Sequence, residues 1–372
     1  MAGIYLHIPF CKKKCSYCDF YSLPGRIESA GDYVCAVLKE AKAYSGMSFG
    51  TLYFGGGTPS LLGPHHLTNL MDGFRQYFDF TSLVEATIEV NPDSATSDFL
   101  NAAKKSGINR VSIGIQSLTD SELQSVSRVH CASQAIEAVR LVKSTGFKSV
   151  SADLIIGLRG QNWNSLLKAL KTITGLGVQH LSVYCLSIEY GTPLAALTPT
   201  DLPSEDLQVE LYENTREFLG AAGFAHYEIS NYALPGFECL HNVNYWHSGE
   251  YLGLGPAAAS HLEGKRFKNK SDLDSYLSNP TDQAEYDETL NEEGKLGEEA
   301  MLRLRLLVEG INPAVFSGRF SPEVINRLIG RLNELTGRGL LESDGIKYRL
   351  EKKYVLTSNG IFQTVLGDNL EN

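Results

Sequence analysis

Several features are missing from the 372-residue sequence, and each absence argues against a class of protein. No apolar run approaches the roughly 20 residues that span a bilayer, and only six residues precede His7, so neither a transmembrane segment nor a signal peptide is expected. Positive charge is not in excess: the formal charge of −10 argues against sequence-independent nucleic-acid binding. The seven cysteines lack the spread of a disulfide framework, which predicts a cytoplasmic protein with reduced thiols.

What is present in the first half is an alternation of β-rich runs and amphipathic helical stretches. The predicted strands are residues 3–8, 51–57, 84–90, 109–115, 150–158 and 180–188, and the predicted helices include 32–44, 97–107, 133–146 and 164–175. This alternation predicts an α/β fold with a parallel sheet. Six βα units indicate a barrel, complete or partial, with its site at the carboxyl ends of the strands. An open doubly wound sheet is the alternative, and periodicity does not separate the two.

After residue 190 the alternation stops. Residues 204–223 are predicted to form a helix, which a Tyr- and Gly-rich stretch follows, and the chain becomes helical again from about residue 297. Residues 339–360 are predicted to form a small hairpin. We therefore predict three parts: residues 1–190 as the barrel, 191–290 as a connecting region, and 291–372 as a small, mostly helical C-terminal domain.

Three cysteines lie within eight positions in HIPFCKKKCSYCDF, where Cys11, Cys15 and Cys18 give the spacing C-x3-C-x2-C. Structural zinc needs four ligands, and no second Cys or His pair completes such a site. A disulfide would leave one thiol over, in a reducing compartment. An iron–sulfur cluster held by three thiolates remains, and it leaves one iron open for another ligand. His7 is interpreted as a satisfied polar residue beside the cluster.

In this spacing, after a first strand, the sequence resembles the radical SAM enzymes. In that family three cysteines hold a 4Fe–4S cluster whose open iron binds S-adenosylmethionine, and the fold is a partial (β/α)6 barrel. The resemblance extends over the whole chain to the HemN-like branch, which contains coproporphyrinogen III oxidases (dehydrogenases) and HemW-type haem chaperones. The matching blocks are YLHIPFC, GGGTP, EVNPDS, RVSIGIQS, SVSRVH and DLIIGL.

This resemblance implies contacts to the methionine end of the cofactor. Tyr5 and Tyr17 would flank it, and Gly56, Gly57 and Thr58 would line its methionine end. Glycines after a strand allow a ligand to approach the backbone closely.

It also implies contacts elsewhere on the cofactor. Glu89 would accept hydrogen bonds from it, Gln116 and Asp153 would contact the nucleoside side, and Arg128 would pair with a carboxylate. Taken without the family, Glu89 and Asp153 could be strand-end caps, and Arg128 could lie on the surface of a helix.

Two departures separate this sequence from the oxidases, which carry a fourth cysteine two residues after the triplet and an N-terminal extension. Here Phe20 stands at the cysteine position, and the first strand begins at about residue 3. HNVNYW, residues 241–246, matches an H-N-x-x-Y-W pattern of the haem-chaperone group. In that group's pattern His241 is the candidate haem ligand, although the segment could instead tie a loop to the barrel. His247 and His261 are the alternative ligands.

The resemblance therefore predicts a radical SAM haem chaperone that binds a 4Fe–4S cluster, S-adenosylmethionine and haem. It would pass haem to an acceptor protein and receive electrons from a donor, neither of which the sequence names. The alternative is an oxygen-independent coproporphyrinogen III oxidase. Cys35, Cys131, Cys185 and Cys239 lie in apolar stretches and are predicted to be small buried residues outside the cluster.

Overall fold

The computed structural model of the chain describes residues 2–197, 199–286 and 290–367. Residues 1, 198, 287–289 and 368–372 of the predicted parts lie outside the described residues. The strands, in chain order, are β1 Gly3–Ile8, β2 Phe10–Cys11, β3 Leu23–Pro24, β4 Thr51–Gly56, β5 Glu85–Val90, β6 Arg110–Gln116, β7 Ser149–Ile156, β8 His180–Cys185, β9 Ala225–Glu228, β10 Asn231–Ala233, β11 Tyr251–Leu254, β12 Ala259–Leu262, β13 Lys265–Asn269, β14 Ala284–Tyr286, β15 Leu341–Ser343 and β16 Tyr348–Leu350.

The α-helices connect these strands and build the C-terminal part. They are α1 Ala30–Lys42, α2 Gly63–Tyr77, α3 Ser97–Lys105, α4 Asp120–Ser125, α5 Ala132–Thr145, α6 Trp163–Gly175, α7 Pro193–Leu197, α8 Glu205–Ala221, α9 Leu240–Trp246, α10 Leu273–Ser278, α11 Glu292–Leu304, α12 Pro322–Gly337 and α13 Ser358–Leu366. Short 3₁₀ helices cover Ile27–Ser29, Pro59–Leu62, Pro313–Phe316 and Lys352–Thr357.

Six parallel strands form the centre of the main sheet in the order β1-β4-β5-β6-β7-β8. Because each of these six strands lies beside its predecessor, this part of the chain winds in one direction and does not reverse at a switch point. A doubly wound sheet requires such a reversal. The alternative of an open doubly wound sheet is therefore wrong, and the predicted α/β fold with a partial (β/α)6 barrel is confirmed.

The helices follow from local sequence signals. Thr96 accepts a hydrogen bond from the Phe99 N–H and caps α3, and Asn162 caps α6 by accepting one from Ser165. These bonds satisfy N–H groups that a helix start leaves free. Gly146 ends α5 in the left-handed conformation at φ 78°. One face of α1 is buried, where Tyr33, Val34, Val37 and Ala41 belong to the hydrophobic core.

The sheet continues beyond the six strands at both ends. On one side β11 pairs in parallel with β1, and β12, β13 and β14 follow in antiparallel pairs. On the other side β10 pairs with β8, and β9 with β10. Part of the stretch that we predicted to be a connecting region thus extends the barrel sheet.

The C-terminal part contains α11, α12 and α13, which pack on one another around Leu304, Leu332 and Phe362. The predicted hairpin is confirmed, since β15 and β16 pair in antiparallel fashion. No helix among the described residues is long and apolar enough to cross a membrane. The proposed division at residues 190 and 290 stays a prediction.

Candidate functional site

The cysteine loop begins directly after β1, at the carboxyl end of the parallel strands. Cys11 ends β2, which pairs with β3, while Cys15 and Cys18 lie in the turn between them, where the Cys18 N–H donates to the Cys15 carbonyl at 3.2 Å. All three thiols are free and partly buried. The short β2–β3 pair closes the loop, so the three sulfur atoms face the end of the barrel.

Polar side chains from other strands approach these sulfurs. The Thr58 hydroxyl lies 3.6 Å from the Cys11 sulfur, and the Asn91 amide donates to the same hydroxyl at 2.9 Å. Burial raises the pKa of the Cys11 thiol, and it raises that of Cys18 to about 11. Thiolates here therefore need a cationic metal to offset desolvation. Among the described residues, no three His, Cys, Asp or Glu side chains are placed to hold a single metal ion.

The glycine-rich segment after β4 packs against the start of the cysteine loop. The Gly57 N–H donates to the Ile8 carbonyl and the Thr58 N–H to the Phe10 carbonyl, both at 2.7 Å. A Cβ on Gly57 would lie 2.6 Å from the Phe10 oxygen, and Gly56 has φ 105°. Glycine is required here because the backbone of the cysteine loop lies too close for any side chain.

A cavity of about 390 Å³ opens between the cysteine loop and the strand ends. It brings together eleven of the thirteen predicted site residues, which come from loops and strands far apart in sequence. They are Cys11, Cys15, Tyr17, Cys18, Gly56, Gly57, Thr58, Glu89, Gln116, Arg128 and Asp153. Tyr5 and His241 do not line it.

Two carboxylates occupy the floor of the cavity. Glu89 accepts a hydrogen bond from the Tyr53 hydroxyl at 2.8 Å, and Asp153 accepts one from the Ser112 hydroxyl at 3.0 Å. Burial raises the pKa of Glu89 to about 7 and that of Asp153 to about 6. Two partly desolvated acids in one cavity provide acceptors for a cationic or hydroxyl-bearing ligand.

Gln116 and Arg128 line the same cavity in constrained positions. Gln116 has φ 67°, an uncommon value for a residue with a side chain, and a register irregularity in the β6–β7 pairing precedes it. Arg128 donates to the Asn91 side chain at 2.9 Å and to the Gly114 carbonyl. Arg128 is therefore held by the strand ends rather than free on a helix surface.

Tyr5 lies inside the barrel, beneath the cavity. It pairs with Tyr53 across β1 and β4, with ring centroids 6.3 Å apart, and its hydroxyl lies 3.2 Å from His7 Nδ1. His7 Nε2 in turn lies 2.8 Å from the Tyr21 carbonyl oxygen. The interpretation of His7 as a satisfied polar residue is confirmed.

The structure places His241 away from the cavity, at the opposite end of the barrel. Its side chain is 0% exposed, Nδ1 lies 2.9 Å from the Thr51 hydroxyl and Nε2 lies 2.8 Å from the Tyr245 hydroxyl. Both ring nitrogens have partners, so this arrangement leaves none for haem iron. Of the alternatives, His247 contacts Glu309 at 2.9 Å and His261 lies near the Gly249 carbonyl at 3.4 Å.

Sequence reasoning missed several residues of the cavity wall. Asn91 directly follows β5, and Tyr184 and Cys185 end β8, so their position at strand ends is the signal that could have identified them. The prediction that Cys35 and Cys185 are buried is wrong, because both are exposed. Cys185 is the last residue of its strand, where the sheet gives way to the open cavity.

The sequence is similar to known proteins of one family. Residues 5–173 match the model of the radical SAM superfamily. The heme chaperone HemW of Lactococcus lactis subsp. lactis (strain IL1403) is 31% identical over 371 residues, which cover 98% of this chain and 97% of that protein. The chain belongs to the HemW family of radical SAM proteins. A Mycobacterium tuberculosis protein of the same name (strain ATCC 25618 / H37Rv) is 33% identical over 98% of this chain and 95% of its own length.

A solved structure resembles this HemW-family chain in its fold. The coproporphyrinogen III oxidase HemN from Escherichia coli superposes with a TM-score of 0.84 at 22% identity. The match covers 98% of this chain and 89% of that one, so the two share their architecture, including the C-terminal part.

Membership of the radical SAM family implies a 4Fe–4S cluster and S-adenosylmethionine, and the residues present suit both. The cavity lining includes the thiols of Cys11, Cys15 and Cys18 and the carboxylates of Glu89 and Asp153. The Ser22 hydroxyl lines the cavity with only 6% of the residue exposed, and it interacts with the Cys11 thiol. A hydroxyl that donates to a sulfur stabilises the thiolate that a cluster iron requires.

Proposed function

We propose that this chain is a haem chaperone that binds a 4Fe–4S cluster, S-adenosylmethionine and haem, and delivers the haem to an acceptor protein. The observation that carries the proposal is the similarity to proteins named heme chaperone HemW along nearly the whole of both chains. Similarity of that extent includes the cysteine loop, the barrel and the C-terminal helices. It therefore favours a shared function rather than a shared cofactor domain alone.

In this proposal Cys11, Cys15 and Cys18 hold three irons of the cluster. Reduced and with S-adenosylmethionine bound, the cluster can supply one electron that cleaves a carbon–sulfur bond. The chain's own contribution is to place the cofactor. Thr58 and Arg128 donate toward the cysteine sulfurs, and hydrogen bonds to sulfur tune the potential of such clusters.

The remaining cavity residues are assigned to the cofactor itself. Glu89, on the floor, would accept hydrogen bonds from its charged end, because a carboxylate pairs strongly with an ammonium group. Gln116 and Asp153 would face the nucleoside. At Gly56 a Cβ would lie 2.8 Å from the His7 ring, so glycine is needed for this part of the wall.

The residues at the mouth of the cavity support haem binding on the same side of the barrel as the cysteine loop. Phe20 is 61% exposed and Tyr184 is 44% exposed, and both line the opening. Exposed rings at a cavity mouth offer a flat apolar surface to a porphyrin. Lys13 and Lys14 also line the opening, where their ammonium groups can meet the propionates of haem.

Phe20 also argues against the alternative function, oxygen-independent coproporphyrinogen III oxidation. The related oxidases carry a cysteine at this position, whereas here an exposed phenyl ring occupies it. The fold shared with HemN does not favour the oxidase, because likeness at 22% identity concerns architecture only.

The test uses one anaerobically reconstituted preparation in two assays. In the first, haem is titrated and the Soret band is followed, with a defined stoichiometry as the expected result. In the second, coproporphyrinogen III is supplied with reductant and S-adenosylmethionine, and no protoporphyrinogen is expected. Turnover that depends on S-adenosylmethionine would replace the chaperone assignment with the oxidase.

A further inference from the structure

The HNVNYW segment closes the end of the barrel opposite the cavity. It forms α9, which contacts the start of β4. The Glu85 carboxylate, at the start of β5, accepts hydrogen bonds from the backbone N–H groups of Leu240 and His241, both at 3.0 Å. A carboxylate at this position satisfies N–H groups that the first turn of a helix leaves free.

His241 fixes α9 to the inside of the barrel. Its ring lies between the Thr51 hydroxyl and the Tyr245 hydroxyl, and a Cβ on Gly3 would come within 3.0 Å of it. The first residue of β1 must therefore be glycine because the imidazole occupies the space beside it. Such close packing restrains the ring from every side.

Tyr53 connects this end of the barrel, closed by α9, to the cavity. Its ring stacks on His241, with centroids 5.2 Å apart and an interplanar angle of 26°. The hydroxyl at the other end of the same side chain donates to Glu89 Oε1 at 2.8 Å. Glu89 lines the cavity. The Tyr53 side chain thus spans the barrel interior from the His241 ring to the Glu89 carboxylate.

We propose that Tyr53 and His241 are positioning residues for Glu89, and through it for S-adenosylmethionine. The imidazole fixes the tyrosine ring, and the tyrosine hydroxyl fixes the carboxylate that receives the cofactor. This inference rests on the cofactor site of the proposed function and does not involve haem. It gives the HNVNYW segment a role at the radical SAM site from the opposite end of the barrel.

A second contact ties the same segment to the C-terminal part. The Arg305 guanidinium, just after α11, lies 4.4 Å from the centre of the Trp246 ring. Cation–π contacts of this kind hold partly buried surfaces together. This contact holds α9 against the C-terminal part and so keeps the His241 ring against Tyr53.

The chain offers a matched control in His180. This histidine is 1% exposed, begins β8 and has the same two kinds of partner: the Ser151 hydroxyl at 2.7 Å and the Tyr227 hydroxyl at 2.9 Å. None of its described contacts is with Tyr53 or Glu89. Among the described contacts, His180 reaches α9 only through the Tyr227 hydroxyl, which accepts from the Cys239 N–H at 3.2 Å. Replacing it therefore perturbs the same end of the barrel without removing a contact to Tyr53 or Glu89.

The experiment measures the dissociation constant of S-adenosylmethionine for reconstituted Tyr53→Phe, His241→Gln and His180→Gln. Tyr53→Phe removes a hydrogen bond to a carboxylate and should weaken binding about tenfold or more. His241→Gln should weaken it by a smaller factor, because the amide can replace the hydrogen bonds but not the stacked ring. His180→Gln should bind like the unchanged protein. If His241→Gln does not fold, Tyr53→Phe still tests the route.

The pH profile of binding separates positioning from a general loss of stability. Losing the Tyr53 donor raises the pKa of Glu89, whose other titratable neighbours are Asp153, Tyr5 and Tyr184. The pH at which the affinity begins to rise should therefore be higher in Tyr53→Phe than in the unchanged protein. An unchanged dissociation constant and profile in Tyr53→Phe overturns the proposal. So does a His241→Gln variant that loses its Soret band while binding S-adenosylmethionine normally. Failure of the unchanged protein to bind haem would contradict the chaperone function and leave this inference standing.

Discussion

The Nη1 atom of Arg128 lies 3.5 Å from the Cys15 sulfur, while Nη2 of the same guanidinium donates to the Gly114 carbonyl and to the Asn91 side chain. One side chain therefore joins the cysteine loop to the ends of β5 and β6. Because Arg128 also lines the cavity, it can hold the loop and pair with a ligand carboxylate.

Arg128→Ala is expected to weaken S-adenosylmethionine binding roughly ten- to a hundredfold, the equivalent of about 1.5–3 kcal/mol for a lost charge-assisted hydrogen bond. Arg128→Lys keeps the charge but not the fork of donors, so it should recover only part of the affinity. Arg140→Ala, which removes an exposed pair with Glu137, is the control. Calorimetry under anaerobic conditions measures all three, and equal affinity in Arg128→Ala and the unchanged protein would contradict the assignment.

Replacing Cys11, Cys15 and Cys18 together by Ala should abolish the iron and sulfide content after reconstitution. Each thiolate holds one iron, so the remaining side chains cannot retain the cluster. Cys35→Ala is the matched control because that thiol is exposed and lies on α1, away from the loop. Cys185→Ala should also keep its cluster, although Cys185 lines the cavity. Iron that persists in the triple variant would show that the ligands are elsewhere.

Gly57→Ala should prevent stable cluster incorporation, because the new Cβ would lie 2.6 Å from the Phe10 carbonyl oxygen and displace the cysteine loop. Gly175→Ala is the opposite case. It lies at the end of α6 with no atom within 4 Å of the added Cβ, and alanine there should stabilise the helix by up to about 1 kcal/mol. Iron content and thermal unfolding distinguish the two. Normal iron content in Gly57→Ala would mean that the loop tolerates the shift.

Glu89→Gln should become more stable relative to the unchanged protein as the pH rises. The pKa of Glu89 is raised from 4.5 to about 7, chiefly by burial, so the folded chain binds a proton that the unfolded chain has released. Its unfolding free energy therefore falls as the pH rises from about 4.5 to 7, by at most about 3 kcal/mol. Gln carries no such proton.

Denaturant unfolding at pH 5 and pH 8, without S-adenosylmethionine, measures the difference for Glu89→Gln. The same variant should bind the cofactor more weakly, because the neutral amide lacks the charge of the carboxylate. A difference in unfolding free energy that does not change with pH would place Glu89 in a solvated environment.

The sequence identified most of the parallel sheet. The predicted strand 3–8 coincides with β1, and the prediction of 180–188 differs from β8 only at its end. These strands are buried on both faces, so their β-branched and aromatic runs are continuous and bounded by polar turns. The order of the strands was not readable, because periodicity records which face is buried but not which neighbour lies beside it.

The candidate site likewise contains residues that the sequence identified and residues that only the structure could place. The sequence by itself determined the cysteine triplet, because three thiolates that hold one cluster lie at short, fixed spacings. Thr58 and Arg128 were predicted only through the resemblance to the radical SAM family. Only the tertiary structure decided the position of His241, whose sequence pattern fits an iron ligand as well as a segment that ties a loop to the barrel. It alone could also show Tyr53 beneath Glu89, since the contact joins side chains 36 positions apart and exists only once β4 and β5 lie side by side.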